Sequence, residues 1–392
     1  MWINRKSEDV LRRMFKQFSA VLVTGPRQSG KTALLKTLFP DASYVTLDDR
    51  SAADAALTTP DAFLSRYKEP MILDEVQYAA TLFRSLKIKI DQKRDPGRFL
   101  LTGSQLFALM QGASESLAGR CGILTLSSLS WLERKESPKP IKMEDFIFLG
   151  GFPELHLGNM EREFWYSSYV STYLERDVRN MLNVGDLGDF NRLLRAAALR
   201  TSQVLSYSDF ARDCGISPAT AKKWISILVA SGQIFLLESY HSNRGKRLVK
   251  SPKIVFADTG LACYLMGFKS KEDAFSSPLA GALWETFVTN QVIRHYAFQG
   301  KKPPLWYWRT PYGQEVDLII EEGGGKITAI ECKLSEHPDF NDCRGLRALE
   351  LFYGKESILS SYIACRTSVP YKLARNISVV DGSQWDGILT LS

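Results

Sequence analysis

Gly25-Pro26-Arg27-Gln28-Ser29-Gly30-Lys31-Thr32 fits the phosphate-loop pattern G-x-x-x-x-G-K-[ST] at every fixed position. The apolar run Ala20-Val21-Leu22-Val23 predicts a buried strand before it, and Ala33-Leu34-Leu35-Lys36-Thr37-Leu38 predicts the first turns of a helix after it. That context matters, because a strand aims such a loop and a helix N-terminus receives anionic phosphate. The glycines let successive backbone N–H groups turn inward around a β-phosphate. Lys31 offers a point charge to the β- and γ-oxygens, and the Thr32 hydroxyl is placed to ligate Mg²⁺. The stretch reads as a nucleoside triphosphate site, with ATP as its nucleotide and Mg²⁺ as its cation.

Hydrolysis needs an acid as well. Pro70-Met71-Ile72-Leu73-Asp74-Glu75 is a short apolar strand ending in two carboxylates. Asp74 is expected to hold the Mg²⁺ shell and Glu75 to polarise the attacking water, with Lys31 and Glu75 as the catalytic pair. Ala42-Ser43-Tyr44-Val45-Thr46-Leu47 predicts another strand, followed by helix over residues 52–67. A further strand, Arg98-Phe99-Leu100-Leu101-Thr102, ends in Gly103-Ser104-Gln105, whose polar tip (Ser104 or Gln105) is a candidate γ-phosphate sensor.

These residues resemble a known family. Gly25–Thr32, Leu73-Asp74-Glu75-Val76-Gln77, Leu101-Thr102-Gly103-Ser104 and Leu117-Ala118-Gly119-Arg120 look like bacterial and archaeal AAA+-type ATPases fused to a C-terminal domain of unknown function. Gly150-Gly151-Phe152-Pro153-Glu154, Tyr173-Leu174-Glu175-Arg176-Asp177-Val178 and Asp258-Thr259-Gly260-Leu261 are similar to the same family, so the likeness spans nearly the whole chain. The resemblance implies the fold and the nucleotide chemistry and leaves the biological role open. In a possible homo-oligomer, Arg120, Arg176 and Arg179 are each candidates to reach a neighbouring subunit's γ-phosphate. Each is equally a candidate structural ion-pair partner.

At 392 residues the chain exceeds one typical domain. No apolar run approaches the length of a membrane span. Met1-Trp2-Ile3-Asn4-Arg5-Lys6 has neither the apolar core nor the cleavage pattern of a secretory signal, so a cytoplasmic protein is expected. Cysteines 121, 214, 263, 332, 343 and 365 lack the close pairs of a zinc site or disulfide scaffold and read as buried thiols. The formal charge of +7 permits nucleic-acid contact, but local clustering decides it.

The expected organisation is an α/β protein of four segments: a P-loop ATPase domain over 1–132, a helical connector over 133–190, a winged helix over 191–270 and a nuclease-like α/β domain over 271–392. Glu133-Arg134-Lys135-Glu136-Ser137-Pro138-Lys139-Pro140 reads as a charged, proline-bearing linker. Tyr166, Tyr169, Val170, Tyr173, Leu174, Val178, Met181 and Leu182 recur at helical spacing and predict a core-facing stripe. Tyr207–Asp213 predicts a short helix broken by Gly215, and Ser217 with Pro218 predicts the start of a second helix running to Ser231, a helix-turn-helix signature. Strands at 234–237 and 253–256 flank the basic tip Asn243–Lys250. Lys222, Lys223, Arg244, Lys246, Arg247 and Lys250 are the expected contacts to DNA phosphates. A lid or protein-contact role for the same element stays open.

The C-terminal segment predicts a helix at 281–298, strands at 305–309, 315–320 and 327–334, a helix near 339–352 and a strand near 361–365. That order resembles PD-(D/E)xK nucleases. Glu331 and Lys333 stand two apart on one strand and share a face, Asp317 sits on its neighbour, and Glu285 comes from the helix. Glu285, Asp317 and Glu331 are candidate Mg²⁺ ligands, and Lys333 is a candidate to assist the attacking water. A nuclease-like fold without cleavage is the alternative. The favoured expectation is ATP hydrolysis coupled to DNA handling. A regulatory nucleotide switch that binds protein partners is the second.

Overall fold

The computed structural model describes residues 2–103, 116–158, 160–174, 187–242 and 251–389, the side chains of 173 and 174 excepted. The readings placed on Ser104, Gln105, Arg176, Arg179, Arg244, Lys246, Arg247 and Lys250 lie outside the described residues.

The first unit opens with α1 (Glu8–Phe15) and β1 (Ala20–Thr24), after which Gly25–Gly30 leads into α2 (Lys31–Leu38). β2 (Ser43–Thr46), β3 (Met71–Asp74), β4 (Phe99–Thr102) and β5 (Cys121–Thr125) complete a parallel sheet in the order β2-β3-β4-β1-β5. β4 thus lies between the loop strand and the acid strand, and the parallel register brings the ends of β1 and β3 to one edge. β1, β3 and β4 are buried throughout, which matches their uninterrupted apolar runs. Leu22, Leu73 and Leu101 pack one face of the sheet, and Val21, Ile72 and Leu100 pack the other. The helix expected over 52–67 is two helices, Arg50–Thr58 and Pro60–Ser65. Pro60 has no N–H to continue the first and takes the opening position of the second.

The expected charged linker begins inside a helix and is exposed at Lys135, Glu136, Pro138, Lys139 and Pro140. Trp131–Lys135 is helix α3, whose Ser130 and Glu133 form a reciprocal cap, and Glu133 and Arg134 are 2% and 6% exposed. Glu133 accepts from Arg5 Nε at 3.1 Å, Lys6 N at 2.8 Å and Ser130 N at 2.7 Å. Arg134 Nε donates to His156 Nδ1 at 2.9 Å. Partners distant in sequence satisfy these two charges, which lets Glu133 and Arg134 lie buried.

In the middle unit, α4 (Met143–Leu149) and α5 (Arg162–Tyr169) precede α6 (Leu187–Leu199), β6 (Gln203–Val204), α7 (Tyr207–Cys214), α8 (Pro218–Ala230), β7 (Ile234–Leu237), β8 (Lys253–Phe256) and α9 (Thr259–Leu265). The three strands form a sheet in the order β6-β8-β7. Gly215 takes a left-handed φ of 69° between α7 and α8, and Ser217 Oγ caps α8 by accepting from Thr220 N at 3.0 Å. Tyr166 and Tyr169 of the aromatic stripe lie in this core with Phe190, Phe210 and Trp224.

The last unit begins with α10 (Ala280–Ala297) and runs through β9 (Leu305–Arg309), β10 (Glu315–Glu321), β11 (Ile327–Cys332), α11 (Arg344–Tyr353) and β12 (Ile358–Cys365) in the expected order. β13 (Tyr371–Ala374) and β14 (Ile377–Asp381), unforeseen in the sequence, extend the sheet to β13-β14-β12-β11-β10-β9. Trp284 and Phe287 of α10 pack one face, and Leu346 and Leu349 of α11 the other. No described helix is long and apolar enough to cross a membrane. All six cysteines are free, with Cys121 and Cys332 part-buried and the others buried.

A buried carboxylate ties these units together. Asp258 accepts through Oδ1 from Gly260 N at 3.0 Å, Leu261 N at 3.1 Å and Tyr166 Oη at 3.2 Å. Its Oδ2 accepts from Ser128 Oγ at 2.9 Å and Gly151 N at 2.8 Å. Asp258→Ala strands five buried donors and should cost about 3–5 kcal/mol. Asp258→Asn, which keeps one acceptor, should cost less. Urea unfolding of both variants measures the order.

Candidate nucleotide site and a second acid centre

The phosphate loop is shaped by two positive-φ glycines. Gly25, at φ 140°, lies so close to the next strand that a Cβ there would stand 2.1 Å from Leu126 O, and Gly30, at φ 90°, turns the chain into α2. Lys31 Nζ donates to Gly25 O at 3.1 Å and Pro26 O at 2.8 Å, carbonyls that hold it across the mouth of the loop. Burial brings its pKa down to about 8, against the pull of Glu75 and Asp74. Ser29 Oγ is buried with no hydrogen-bond partner among the described residues. A ready cation and an orphaned hydroxyl in a turn of inward amides suit a phosphate group.

The acids stand where the sheet order puts them. Thr32 Oγ1 donates to Asp74, 3.0 Å from either oxygen, and Tyr44 Oη donates to Asp74 Oδ2 at 2.9 Å. Burial raises the Asp74 pKa, which these hydroxyls partly oppose. Thr32 and Asp74 are oxygen donors of the kind a hard cation takes, so this pair would hold Mg²⁺. Glu75 sits at a left-handed φ of 53° and is held by the Gln77 side chain. A cavity of about 390 Å³ lined by Arg27, Gln28, Gly30, Lys31, Thr32, Asp48 and Glu75 opens over the loop. A second, of about 210 Å³, lies behind it between Pro26, Phe152, Gln233, Ile234 and Phe235.

Two contributors were missed in the sequence. Arg5 Nη1 donates to Ser29 O at 2.8 Å and Nη2 to Ser127 O at 2.7 Å, so the guanidinium joins the back of the loop to buried Glu133. Nothing in its short polar context marks it. Tyr44 lies on the expected strand β2, but its reach to Asp74 follows from the pairing of Tyr44 with Ile72, which sequence alone does not give.

Arg120 lies away from the phosphate loop of its own chain. It precedes β5, at the opposite edge of the sheet from the loop, and grips Asp91 through Nε at 2.7 Å and Nη2 at 2.9 Å. The ion-pair alternative accounts for it within this chain.

The C-terminal residues Glu285, Asp317, Glu331 and Lys333 do converge, but a fifth residue stands among them. Lys253 of β8 points Nζ at Glu285 Oε1 (2.7 Å), Glu315 Oε1 (2.5 Å) and Asp317 Oδ1 (3.5 Å). Asp317 Oδ2 accepts from Cys332 N at 2.8 Å, and Lys333 Nζ donates to Glu331 Oε1 at 2.9 Å. Burial pushes Glu285 up to about 8, with Asp317 adding to the shift, and burial and Asp317 raise Glu331 well above the carboxylate range. Burial disfavours the Lys253 charge, yet Glu285, Asp317 and Glu315 together hold its pKa well above the ordinary value. The expected Glu285, Asp317 and Glu331 set thus gathers around Lys253, and among the described residues no group of three or more His, Cys, Asp or Glu side chains is arranged to hold a metal ion. The lysine was visible in the sequence only as the polar residue of an otherwise apolar strand, Lys253-Ile254-Val255-Phe256.

Residues 17–135 match the family model of an AAA domain, and with the loop and acid geometry this makes the first unit an AAA+-type P-loop ATPase domain. Residues 141–272 and 280–385 match two further models, each described as a domain of unknown function. Uncharacterized proteins of Mycobacterium tuberculosis and Mycobacterium bovis are 33% identical over 318 residues, 80% of this chain and 70% of theirs, and the chain belongs to their family. A Walker-type ATPase structure from Pyrococcus abyssi is similar at 14% identity and a TM-score of 0.46, covering 67% of this chain and 96% of that one, a likeness that carries no weight for function.

Lys31→Ala should abolish ATP binding, and Glu75→Gln should bind ATP and stall before hydrolysis, as nucleotide titration and phosphate release would show. The pH dependence has a defined sign. Lys31 is charged below about 8 and loses its proton above it, while bound phosphate restores the charge, so affinity should fall as pH rises through that value. Calorimetry in two buffers of different ionisation enthalpy should detect proton uptake on binding near roughly pH 9 and little near pH 7.

Proposed function

We propose that this protein is an ATP-driven switch that acts on duplex DNA through its middle unit. The carrying observation is the position of α8. Lys222 and Lys223 are exposed on its N-terminal half, while the turn that ends it rests on the phosphate loop, where a Cβ on Gly232 would stand 3.5 Å from Pro26 Cγ. The helix thus meets solvent on a basic face near its start, and the turn after its end meets the phosphate loop.

In this reading Lys31 and the loop amides bind the phosphates, Thr32 and Asp74 hold the Mg²⁺, and Glu75 takes a proton from the attacking water. The Mg²⁺ supplies charge neutralisation at the phosphates. The smaller cavity, bounded by Pro26 on one side and Ile234 and Phe235 on the other, would receive the base, so occupancy would bear on the turn after α8. The order α6-β6-α7-α8-β7-β8 supports a winged helix, in which α8 would lie in the major groove. The order α10-β9-β10-β11-α11-β12 supports a nuclease-like fold for the last unit, and cleavage is no part of the proposal. Exposed Leu351 and Phe352 on α11 favour a second reading, in which the last unit binds a protein partner.

Duplex DNA should bind with a steep loss of affinity as salt rises, and more tightly to one nucleotide state of Glu75→Gln than to the other. Reversing Lys222 and Lys223 to Glu should weaken binding and flatten the salt slope by about two, without changing basal ATP hydrolysis. Unchanged affinity in that variant would sink the DNA reading and leave the protein-partner one.

A further inference from the structure

The C-terminal acid centre already contains a cation. Lys253 is 1% exposed, and its ammonium group has three N–H donors for three carboxylates, those of Glu285, Glu315 and Asp317. Its charge also lies 5.5 Å from the centre of the Tyr307 ring. Two of the remaining acid oxygens are engaged as well, while Glu331 Oε2 is buried with no hydrogen-bond partner among the described residues. Asp317 Oδ2 is held by a backbone N–H, and Glu331 Oε1 by Lys333, which itself lies 4.0 Å from Asp342. A divalent ion at this centre would meet an ammonium within a few ångströms, and the repulsion would not be screened by water.

The lysine comes from a different part of the chain. It lies within the matched segment 141–272, whereas Glu285, Glu315 and Asp317 lie within 280–385. We propose that Lys253 takes the place of a metal ion in this centre, making it an electrostatic latch that fixes the middle unit to the last one and takes up no divalent cation while closed. The acids that suggest a cutter from their order in the sequence serve, in this arrangement, as the socket for a neighbouring unit's lysine. This inference stands independently of the DNA reading, since it concerns a cation and not a nucleic acid.

The test is Mn²⁺ binding to the nucleotide-free full chain, read from the electron paramagnetic resonance of free Mn²⁺, with Asp74→Asn as control for the nucleotide site. Wild type should show no saturable uptake beyond what Asp74→Asn removes. Lys253→Met, which keeps the length of the stem and deletes the charge, should lower the unfolding temperature, gain a saturable Mn²⁺ site and recover stability as Mn²⁺ is added. Should that variant fail to fold alone, Lys253→Met combined with Asp317→Asn, which removes one charge of each sign, should fold better and bind no Mn²⁺. Uptake by wild type that is lost in Asp317→Asn would overturn the latch by showing the centre open to metal. Folded Lys253→Met that gains no Mn²⁺ would overturn it equally, because the lysine would then not be standing in a cation's place.

Discussion

The structure depends on a buried carboxylate that no single unit can satisfy. Asp258 takes its five donors from its own helix start, from Ser128 after the ATPase sheet, and from Gly151 and Tyr166 of the intervening segment. A carboxylate out of water is tolerable only with its acceptor sites filled, so each unit needs the others in place. Arg294 of α10, buried and donating to Ser128 Oγ at 3.0 Å, brings the last unit into the same network. Crowding reinforces the constraint. A Cβ on Gly260 would stand 2.4 Å from Gly150 N, and one on Gly151 would stand 2.3 Å from Leu129 O, so these glycines mark backbone contacts rather than flexible joints.

The same principle governs both sites with opposite outcomes. At the phosphate loop, a lysine is drawn out of water and hydrogen-bonded to two carbonyls, with the Glu75 and Asp74 carboxylates only partly offsetting the burial. In the acid centre, another lysine is drawn out of water and surrounded by carboxylates, which leaves it fully compensated. Burial acts on both groups alike. The direction of each shift is set by the neighbours, downward for Lys31 and upward for Lys253.

The sequence made the first unit legible because its signals are local: a glycine turn, apolar strands and acids at a strand end, each readable within about eight residues. The cap and glycine turn at Ser217 and Gly215 were legible for the same reason. What escaped was set by distant partners. Glu133 and Arg134 look like a solvated linker until Arg5 and His156 are brought to them. Asp317 and Glu285 look like free metal ligands until β8 delivers Lys253. Residue type and spacing picked out acids that lie together, but only the packing of a separate unit brings Lys253 to them.

Helix α10 then gives the two sites a common support. Glu285 faces the acid centre near one end. Further along, Gln291 Oε1 accepts from Trp131 N at 3.1 Å, and Arg294 reaches Ser128, the residue after the carbonyl that Arg5 grips. Glu285 and Arg294 are separated by roughly 13 Å of helical rise, with no proline to absorb a strain. A displacement of the phosphate loop that moved Arg5 would therefore press on the same segment that holds α10, and withdrawal of Lys253 would free the other end. The contacts at the two ends of α10 belong to different units. Arg5 is bound to a carbonyl of the phosphate loop, and Glu285 is bound to a lysine of the middle unit.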